Sequence, residues 1–317
     1  MRTDGVQYNY GLGIDLAHRF KAHQLLFQSA VSNYQGKLGT AFTGGFKGYL
    51  GNLLTKIGFH TITDSFDVRD IGYVPWAGRK SISITTGPYR EFASGFIQNL
   101  FLGPGVLFVK EPGVIDWSKM LNLEFDFYFR NNWTLNLKTK YGSVYETVAD
   151  YITKDIDLWV WGTNSKTYDA SLGLWYNYSY NYLRNWLGYQ GSGYFWCAYY
   201  LFSRLSLMIE SNTWVELDTT STIFAITPIV TPRVEFRVSK DISFALFNEF
   251  VFTTQGTDFE KTKILSNRFG FLFSYNFKPK SWLYIALNDY RKQNEFNREL
   301  ELQNQIGVFK VKYLFYF

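Results

Sequence analysis

The segment IGVFKVKYLFYF, residues 306–317, alternates between two kinds of side chain. One phase is apolar and mostly aromatic, and the other carries two lysines; the first comprises Phe309, Val311, Tyr313, Phe315 and Phe317, and the second Val308, Lys310, Lys312, Leu314 and Tyr316. A period of two indicates a β-strand, because successive side chains point to opposite faces. One apolar and one charged face are typical of a membrane barrel, with lipid outside and a polar lumen inside. An amphipathic edge strand of a soluble sheet is the alternative.

The start of the chain alternates in the same way. Its apolar phase includes Leu12, Ile14 and Leu16, and its small or polar phase includes Gly13 and Asp15. Two such strands at opposite ends of a chain can pair and close a barrel without a free edge.

The composition favours strands over membrane-spanning helices. Aromatic residues make up 20% of the 317 residues, whereas the mean hydropathy is only −0.16. The longest apolar run, 194–202, is far shorter than the ~20 residues of a spanning helix. Alternation hides the hydrophobicity of a barrel from such averages.

Charge and cysteine content exclude other classes of function. The net charge of +5 is mild and contains no basic block, so no nucleic-acid partner is expected. A single cysteine, Cys197, excludes internal disulfides and thiolate metal sites. No secretory signal precedes the first strand, although an outer-membrane protein must be exported, so we expect this sequence to be part of a longer one.

These patterns predict one all-β domain over residues 1–317, a transmembrane antiparallel up-and-down β-barrel without a separate soluble domain. At ~10 residues per spanning strand, we expect about fourteen strands, within a range of about twelve to sixteen. Residues 65–79, 142–166 and 293–305 are expected to be loops, with a strand extension at 157–161 as the alternative within the second. The sequence Gly103-Pro104-Gly105 suggests a bulge or a turn, and Gly44, Gly45 and Gly48 suggest bulges or close packing.

Charged side chains on the polar phase of their strands are the candidate lining of a lumen. The set is Glu124, Asp126, Arg130, Lys138, Lys140, Arg233, Glu235, Arg237, Arg268, Lys310 and Lys312. An Arg or Lys facing lipid at the midplane costs ~2–4 kcal/mol, so these residues should face the lumen or lie near its rims. They either line a channel or form a salt-bridged, side-chain-filled interior. Eight of the eleven are basic, which hints at an anion preference if a pore exists.

The sequence does not favour an enzyme. The chain has three histidines, and none stands beside a serine or a serine motif that nucleophilic catalysis would use. His60 lies on a polar phase, and a structural role is the preferred interpretation. No cofactor or metal is predicted; Asp64, Asp67 and Asp70 share one loop, but their spacing does not match an EF-hand and a solvated loop is preferred.

Residues 36–89 and the sequence DLAHRF at 15–20 carry a family resemblance. An F-x-x-D-x-G-[FY]-V pattern is approximated by Phe66, Asp70, Gly72, Tyr73 and Val74. This region resembles barrel domains of unassigned activity that follow a family-nine carbohydrate-binding module in bacteria, often Bacteroidota-like organisms. The resemblance implies an outer-membrane domain; the carbohydrate-binding module itself is not matched, so no residue here inherits glycan binding.

The chain's end also resembles the end signature of bacterial outer-membrane barrels, which implies recognition of Phe317, Phe315 and Tyr313 by the barrel assembly machinery. The first functional hypothesis is a channel or transport barrel with a charged lumen. The second is a filled barrel that anchors or displays an N-terminal domain or partner protein, and the third is an outer-membrane hydrolase. Expected partners are outer-membrane lipid, the assembly machinery and, under the second hypothesis, partner proteins or glycan.

Overall fold

The structure, a computed structural model, describes residues 2–4, 7–69, 72, 74, 76–164, 166–294 and 296–315. Apart from one turn of 3₁₀ helix at Phe259–Lys261, the described elements are β-strands. None of the described helical segments is long and apolar enough to cross a membrane.

The chain forms two compact units. Unit 1 contains residues 1–130, 135–157 and 177–180, and unit 2 contains residues 131–134, 158–176 and 181–317. The strands of the first half of the chain are β1 (Arg2–Asp4), β2 (Gln7–Phe20), β3 (His23–Tyr34), β4 (Lys37–Leu50), β5 (Leu53–Ile62), β6 (Lys80–Glu91), β7 (Ile97–Lys110), β8 (Ser118–Phe129) and β9 (Trp133–Tyr145). Those of the second half are β10 (Asp150–Asn164), β11 (Tyr168–Asn181), β12 (Trp186–Phe202), β13 (Leu205–Leu217), β14 (Ile223–Arg237), β15 (Ile242–Gln255), β16 (Lys263–Lys278), β17 (Ser281–Gln293) and β18 (Leu300–Lys312).

The all-β prediction is confirmed, but the predicted number of about fourteen strands is wrong. In the described residues, seventeen strands have ten residues or more, and β1 has three. The main error is β10, which occupies most of the loop predicted at 142–166. Its polar face carries Asp155 and Asp157, so its sequence resembles a polar loop. Ile152, Ile156 and Leu158 on the other face nevertheless keep the alternation. By contrast, no strand interrupts the described part of the predicted loop 65–79.

In unit 1, β1 to β8 pair consecutively and antiparallel. The register separates two faces. One cross-strand row of the apolar face is Leu25, Phe46, Ile57, Ile84, Val106 and Leu121. The adjacent row of the polar face is Arg19, Gln24, Lys47, Lys56, Thr85, Gly105 and Asn122.

In unit 2, β12 to β18 also pair consecutively and antiparallel. A row of its apolar face is Leu205, Phe236, Phe244, Phe273, Ile285 and Phe309. A row of its polar face is Arg237, Ser243, Ser274, Tyr284 and Lys310. The alternation seen in the sequence therefore becomes a two-faced sheet in each unit, because a β-ladder keeps paired residues on one side.

Burial in these sheets is inverted relative to a water-soluble protein. Among the described residues, seven hydrophobic side chains are buried, whereas fourteen polar or charged residues are. Large apolar side chains are exposed instead: Leu12 by 66%, Ile14 by 65% and Phe309 by 70%. A water-soluble domain buries such side chains to gain stability, so the burial pattern of these sheets is not that of a water-soluble domain.

Two glycines within strands, Gly44 and Gly103, act through close approach to aromatic rings. The sequence Gly103-Pro104-Gly105 suggests a bulge or a turn, but strand β7 runs through it and keeps a regular register with β8 there. A Cβ atom on Gly103 would lie 2.4 Å from the ring of Phe101. Gly44 likewise lies under the ring of Phe59, its cross-strand partner, and β4 has no bulge at this position. The glycines therefore make room for aromatic rings.

The last strand is shifted from its predicted position. β18 begins at Leu300, inside the polar segment 293–305 that we expected to be a loop, and ends at Lys312. Residues 313–315 continue the chain without strand pairing, although the Leu314 amide donates to Ser281 Oγ at 3.1 Å. Phe317 lies outside the described residues.

Candidate functional site

The polar face of unit 1 carries an ion network centred on Lys56. Its ammonium group lies 3.0 Å from Glu124 Oε2 and 3.4 Å from Asp126 Oδ2. The two carboxylates are mostly shielded from solvent, with side-chain exposures of 12% and 13%. Carboxylates in such surroundings need cationic or hydrogen-bonding partners to stay charged. Lys56 is the cationic partner of both Glu124 and Asp126.

Lys56 on β5 reaches these carboxylates on β8 across two intervening strands. The polar-face residues beneath it on β6 and β7 are small: Thr85 and Gly105. The Lys56 ammonium also lies 4.4 Å from the ring centroid of Phe101, whose ring occupies the space that Gly103 leaves free. A cation over an aromatic face is stabilised by the ring quadrupole. Glycine, ring, cation and carboxylate thus form one stack.

Strand β9 closes the network from the other side of β8. Lys138 Nζ lies 3.4 Å from Glu124 Oε1, and the Asn136 amide donates to Asp126 Oδ1. Lys140 lies 3.4 Å from Asp155, a carboxylate that is 7% exposed. The structure therefore brings four of the predicted residues, Glu124, Asp126, Lys138 and Lys140, to one face of unit 1.

Arg130 differs from its predicted position on the polar phase of a strand. It follows the end of β8, and its guanidinium donates to the backbone carbonyls of Gly95, at 2.9 Å, and Phe92. It thus ties one turn to another.

The polar face of unit 1 also contains a cavity of about 420 Å³. Its wall includes the cations Arg19, Lys47 and Lys56 and the tyrosines Tyr49, Tyr89 and Tyr128. Asp126 is the carboxylate among the lining residues. Small-molecule sites commonly have volumes of about 300–1,000 Å³, so this cavity is large enough to hold a ligand.

In unit 2, the register places the predicted set on the polar face. Arg233 and Glu235 form an ion pair at 2.5 Å, and Arg268 lies 3.9 Å from Glu249 on the neighbouring strand. Arg237 and Lys310 share one cross-strand row, and Lys312 faces Trp282. These charges are paired locally or stand near strand ends, so they form no network comparable to that of Lys56.

The most buried charged residue described in unit 2, Glu216, was not predicted. Glu216 is 3% exposed and receives hydrogen bonds from Arg184, at 2.9 and 3.3 Å, and from Asn181, at 2.7 Å. Arg184 belongs to the turn after β11, so this cluster fixes the turn to β13. Its polar phase on β13 was a signal for Glu216, but Arg184 gave none because turn residues have no phase.

At the end of the described chain, Tyr313 and Phe315 form an aromatic cluster with Phe277. Ring centroids are 4.6 Å apart for Tyr313 and Phe315 and 6.2 Å apart for Tyr313 and Phe277. Lys278 donates to the Tyr313 hydroxyl at 3.0 Å. Tyr313 is 42% exposed and Phe315 is 67% exposed.

The catalytic and metal alternatives gain no supporting geometry. His60 Nδ1 shares a hydrogen bond of 2.8 Å with the Thr43 hydroxyl. Within the residues that the structure describes, no cluster of three or more His, Cys, Asp or Glu residues could hold a metal ion. In the aspartate-containing loop, Asp70 lies outside the described residues, and Asp67 accepts a hydrogen bond from Arg69 Nε at 2.8 Å.

Two loop carboxylates have shifted pKa values. The hydrogen bond from Arg69 lowers the pKa of Asp67, and the nearby guanidinium charge adds to this effect. Burial raises the pKa of Glu111, which follows β7, although Arg79 at 3.1 Å opposes the shift. Both groups lie in the connections between strands.

Comparisons with known proteins complete the description. No protein-family model matches the sequence, and no curated protein is similar to it at a significant level. Among solved structures, the chain is similar to the outer-membrane channel DcaP of Acinetobacter baumannii, with a TM-score of 0.47 and 10% identity over 90% of this chain and 86% of that one. It is also similar to the NanC porin, with a TM-score of 0.33 and 14% identity over 62% of this chain and 94% of that one. At these scores neither likeness assigns a fold or a function to this chain.

Proposed function

We propose that this protein is a β-barrel of the bacterial outer membrane that acts as a channel with a charged lumen. The observation that carries the proposal is the inverted burial: each unit exposes an apolar face and shields polar and charged groups on the other. In water such a sheet would aggregate, whereas in a bilayer the apolar face is solvated by lipid.

Closure of the strands into one barrel follows from the same reasoning. A sheet edge within hydrocarbon leaves backbone N–H and C=O groups without partners, each at a cost of several kcal/mol. Only a closed barrel lets every strand in the membrane pair on both sides. Insertion of such a barrel would involve the assembly machinery, for which the accessible Tyr313 and Phe315 are a plausible signal.

Exposed cations beside a cavity on the polar face of unit 1 favour a channel over a filled anchor. Arg19 and Lys47 are exposed and make no ion pair among the described residues, and they border a cavity of about 420 Å³. A filled interior would pair such cations or cover them, because isolated buried charges are costly.

The proposal is tested by folding the full chain into liposomes and measuring conductance in planar bilayers. We expect discrete conductance steps and, in a KCl gradient, a reversal potential that indicates preference for chloride. Folded protein that passes no current would support the anchor instead. Cell fractionation tests the location, since the proposal fails if the natural protein sediments away from outer-membrane markers.

A further inference from the structure

The cavity in unit 1 has a chemical character that points to its ligand. Arg19, Gln24, Lys47 and Lys56 form one cross-strand row over four consecutive strands. Lys47 and Lys56 are direct cross-strand partners. Like charges in this position destabilise a sheet, so the row is unfavourable unless anions compensate it.

The protein compensates only one side of this row. Lys56 is neutralised by Glu124 and Asp126, whereas Arg19 and Lys47 have no ion-pair partner among the described residues. The two cations therefore leave positive charge at the cavity wall. A bound anion would remove the repulsion with charge-assisted hydrogen bonds, which are stronger than neutral ones.

A second observation indicates that the ligand also carries hydroxyl groups. Asn99 lines the same cavity, and its side-chain oxygen is buried without a hydrogen-bond partner among the described residues. Buried acceptors are normally satisfied, and a ligand hydroxyl would donate to this one. Tyr49 and Tyr89, whose rings meet edge-on at 6.1 Å, add apolar ring surface and hydroxyl groups to the wall.

We propose that this cavity binds a sugar acid of monosaccharide size, its carboxylate held by Arg19 and Lys47 and its hydroxyls by Asn99 and the tyrosines. A role of this site in solute passage rests on the proposed channel function. Binding itself depends only on the fold of unit 1, so it can be measured without any conductance.

The test is calorimetric titration of the full chain, folded in detergent, with D-glucuronate, D-glucose and acetate. We expect glucuronate to bind at least tenfold more tightly than glucose, which lacks the charge, or acetate, which lacks the hydroxyls. Added NaCl should weaken glucuronate binding, because partly exposed charges are screened by salt.

Two matched variants localise the site. Lys47→Met should weaken glucuronate binding about tenfold, the scale of one charged hydrogen bond. Lys37→Met makes the same change at the opposite end of the same strand, outside the cavity, and should leave binding unchanged. Circular dichroism confirms that both variants fold.

Three outcomes would overturn the proposal: no glucuronate binding by the folded wild-type chain, equal affinity for glucose, or equal losses in the two variants. Conductance measured on the same preparation keeps the two hypotheses apart. A conducting protein that ignores glucuronate refutes the site alone, and a binding protein without conductance refutes the channel alone.

Discussion

The polar faces of the two units are stabilised in different ways. In unit 1, Lys56 bridges strands that are not neighbours and gathers two shielded carboxylates. In unit 2, ion pairs on the strands join residues two apart or neighbouring strands, and Arg184 links the turn after β11 to Glu216 on β13. Aromatic rings also pack on this face, as in the Trp175–Trp214 pair with ring centroids 5.3 Å apart. The same two-residue period therefore supports an ion network that spans several strands in unit 1 and mostly local ion pairs with ring packing in unit 2.

The largest expected effect tests what both units share, the lipid-facing surface. Ile285→Arg places a charge on the apolar face of unit 2 and should lower the free energy of unfolding in liposomes by ~2–4 kcal/mol. Ala286→Arg, one residue along, points to the polar face and should cost much less. Equal losses in urea titrations would show that the two faces do not differ in solvent.

The next effect separates the two units. Lys56→Met leaves Glu124 and Asp126 without their shared cation and should cost about 2–3 kcal/mol, less than a fully buried pair because Lys56 is partly exposed. Arg233→Met breaks a more exposed pair in unit 2 and should cost less than about 1 kcal/mol. Urea titrations of both variants in the same lipid measure the two losses in unfolding free energy. A larger loss for Arg233→Met would contradict the expected difference between the units.

A smaller effect tests the glycine-and-ring packing. Gly103→Ala pushes against Phe101 in unit 1, and Gly270→Ala pushes against Phe247 in unit 2, where the new Cβ would lie 2.0 Å from the ring. Each should cost about 1–3 kcal/mol as overpacking. The losses in unfolding free energy from Gly103→Ala and Lys56→Met should be non-additive, because displacement of Phe101 also disturbs the Lys56 ammonium above it. Gly270→Ala and Lys56→Met should be additive. Additive losses for Gly103→Ala and Lys56→Met would show that the Phe101 ring does not stabilise the Lys56 network.

The smallest effect concerns pH and the loop of unit 1. Asp67 has a pKa lowered in the folded protein, so its stabilising contribution is present above the ordinary pKa of an aspartate, ~3.9, and is lost as pH falls through the folded value. The Arg69 amide, which donates to Asp67 Oδ1 at 3.0 Å, should lose protection from hydrogen exchange in that acidic range. Asp67→Asn should abolish the pH dependence, and its persistence would assign the effect to another group.

Much of the fold could be predicted from alternation alone. The two phases of β8, with Leu121 and Phe125 opposite Glu124 and Asp126, lie on the faces that the sequence indicates. Alternation failed at β10 because a carboxylate such as Asp155, which pairs with Lys140, resembles a solvated loop residue when the partner strand is unknown. It also failed at Gly103-Pro104-Gly105, where a turn-like composition serves close packing.

The candidate cavity could not be predicted from the sequence. Arg19, Lys47 and Lys56 come together because the turns at 21–22, 35–36 and 51–52 each have two residues, which sets the cross-strand register. A different turn length would shift those pairings. Likewise, Lys56 and Glu124 lie 68 positions apart in the chain and meet across two intervening strands, which no local pattern contains.

The bridge from β5 to β8 has a mechanical consequence. It works as a tether across four strands, so any motion that separates β5 from β8 would pull a cation away from two shielded anions. Lateral pressure from the surrounding lipid should therefore deform this group of strands less readily than a group whose contacts join only neighbouring strands. A region that must deform, for example to let a bulky solute pass, would be expected to lack contacts between strands that are not neighbours.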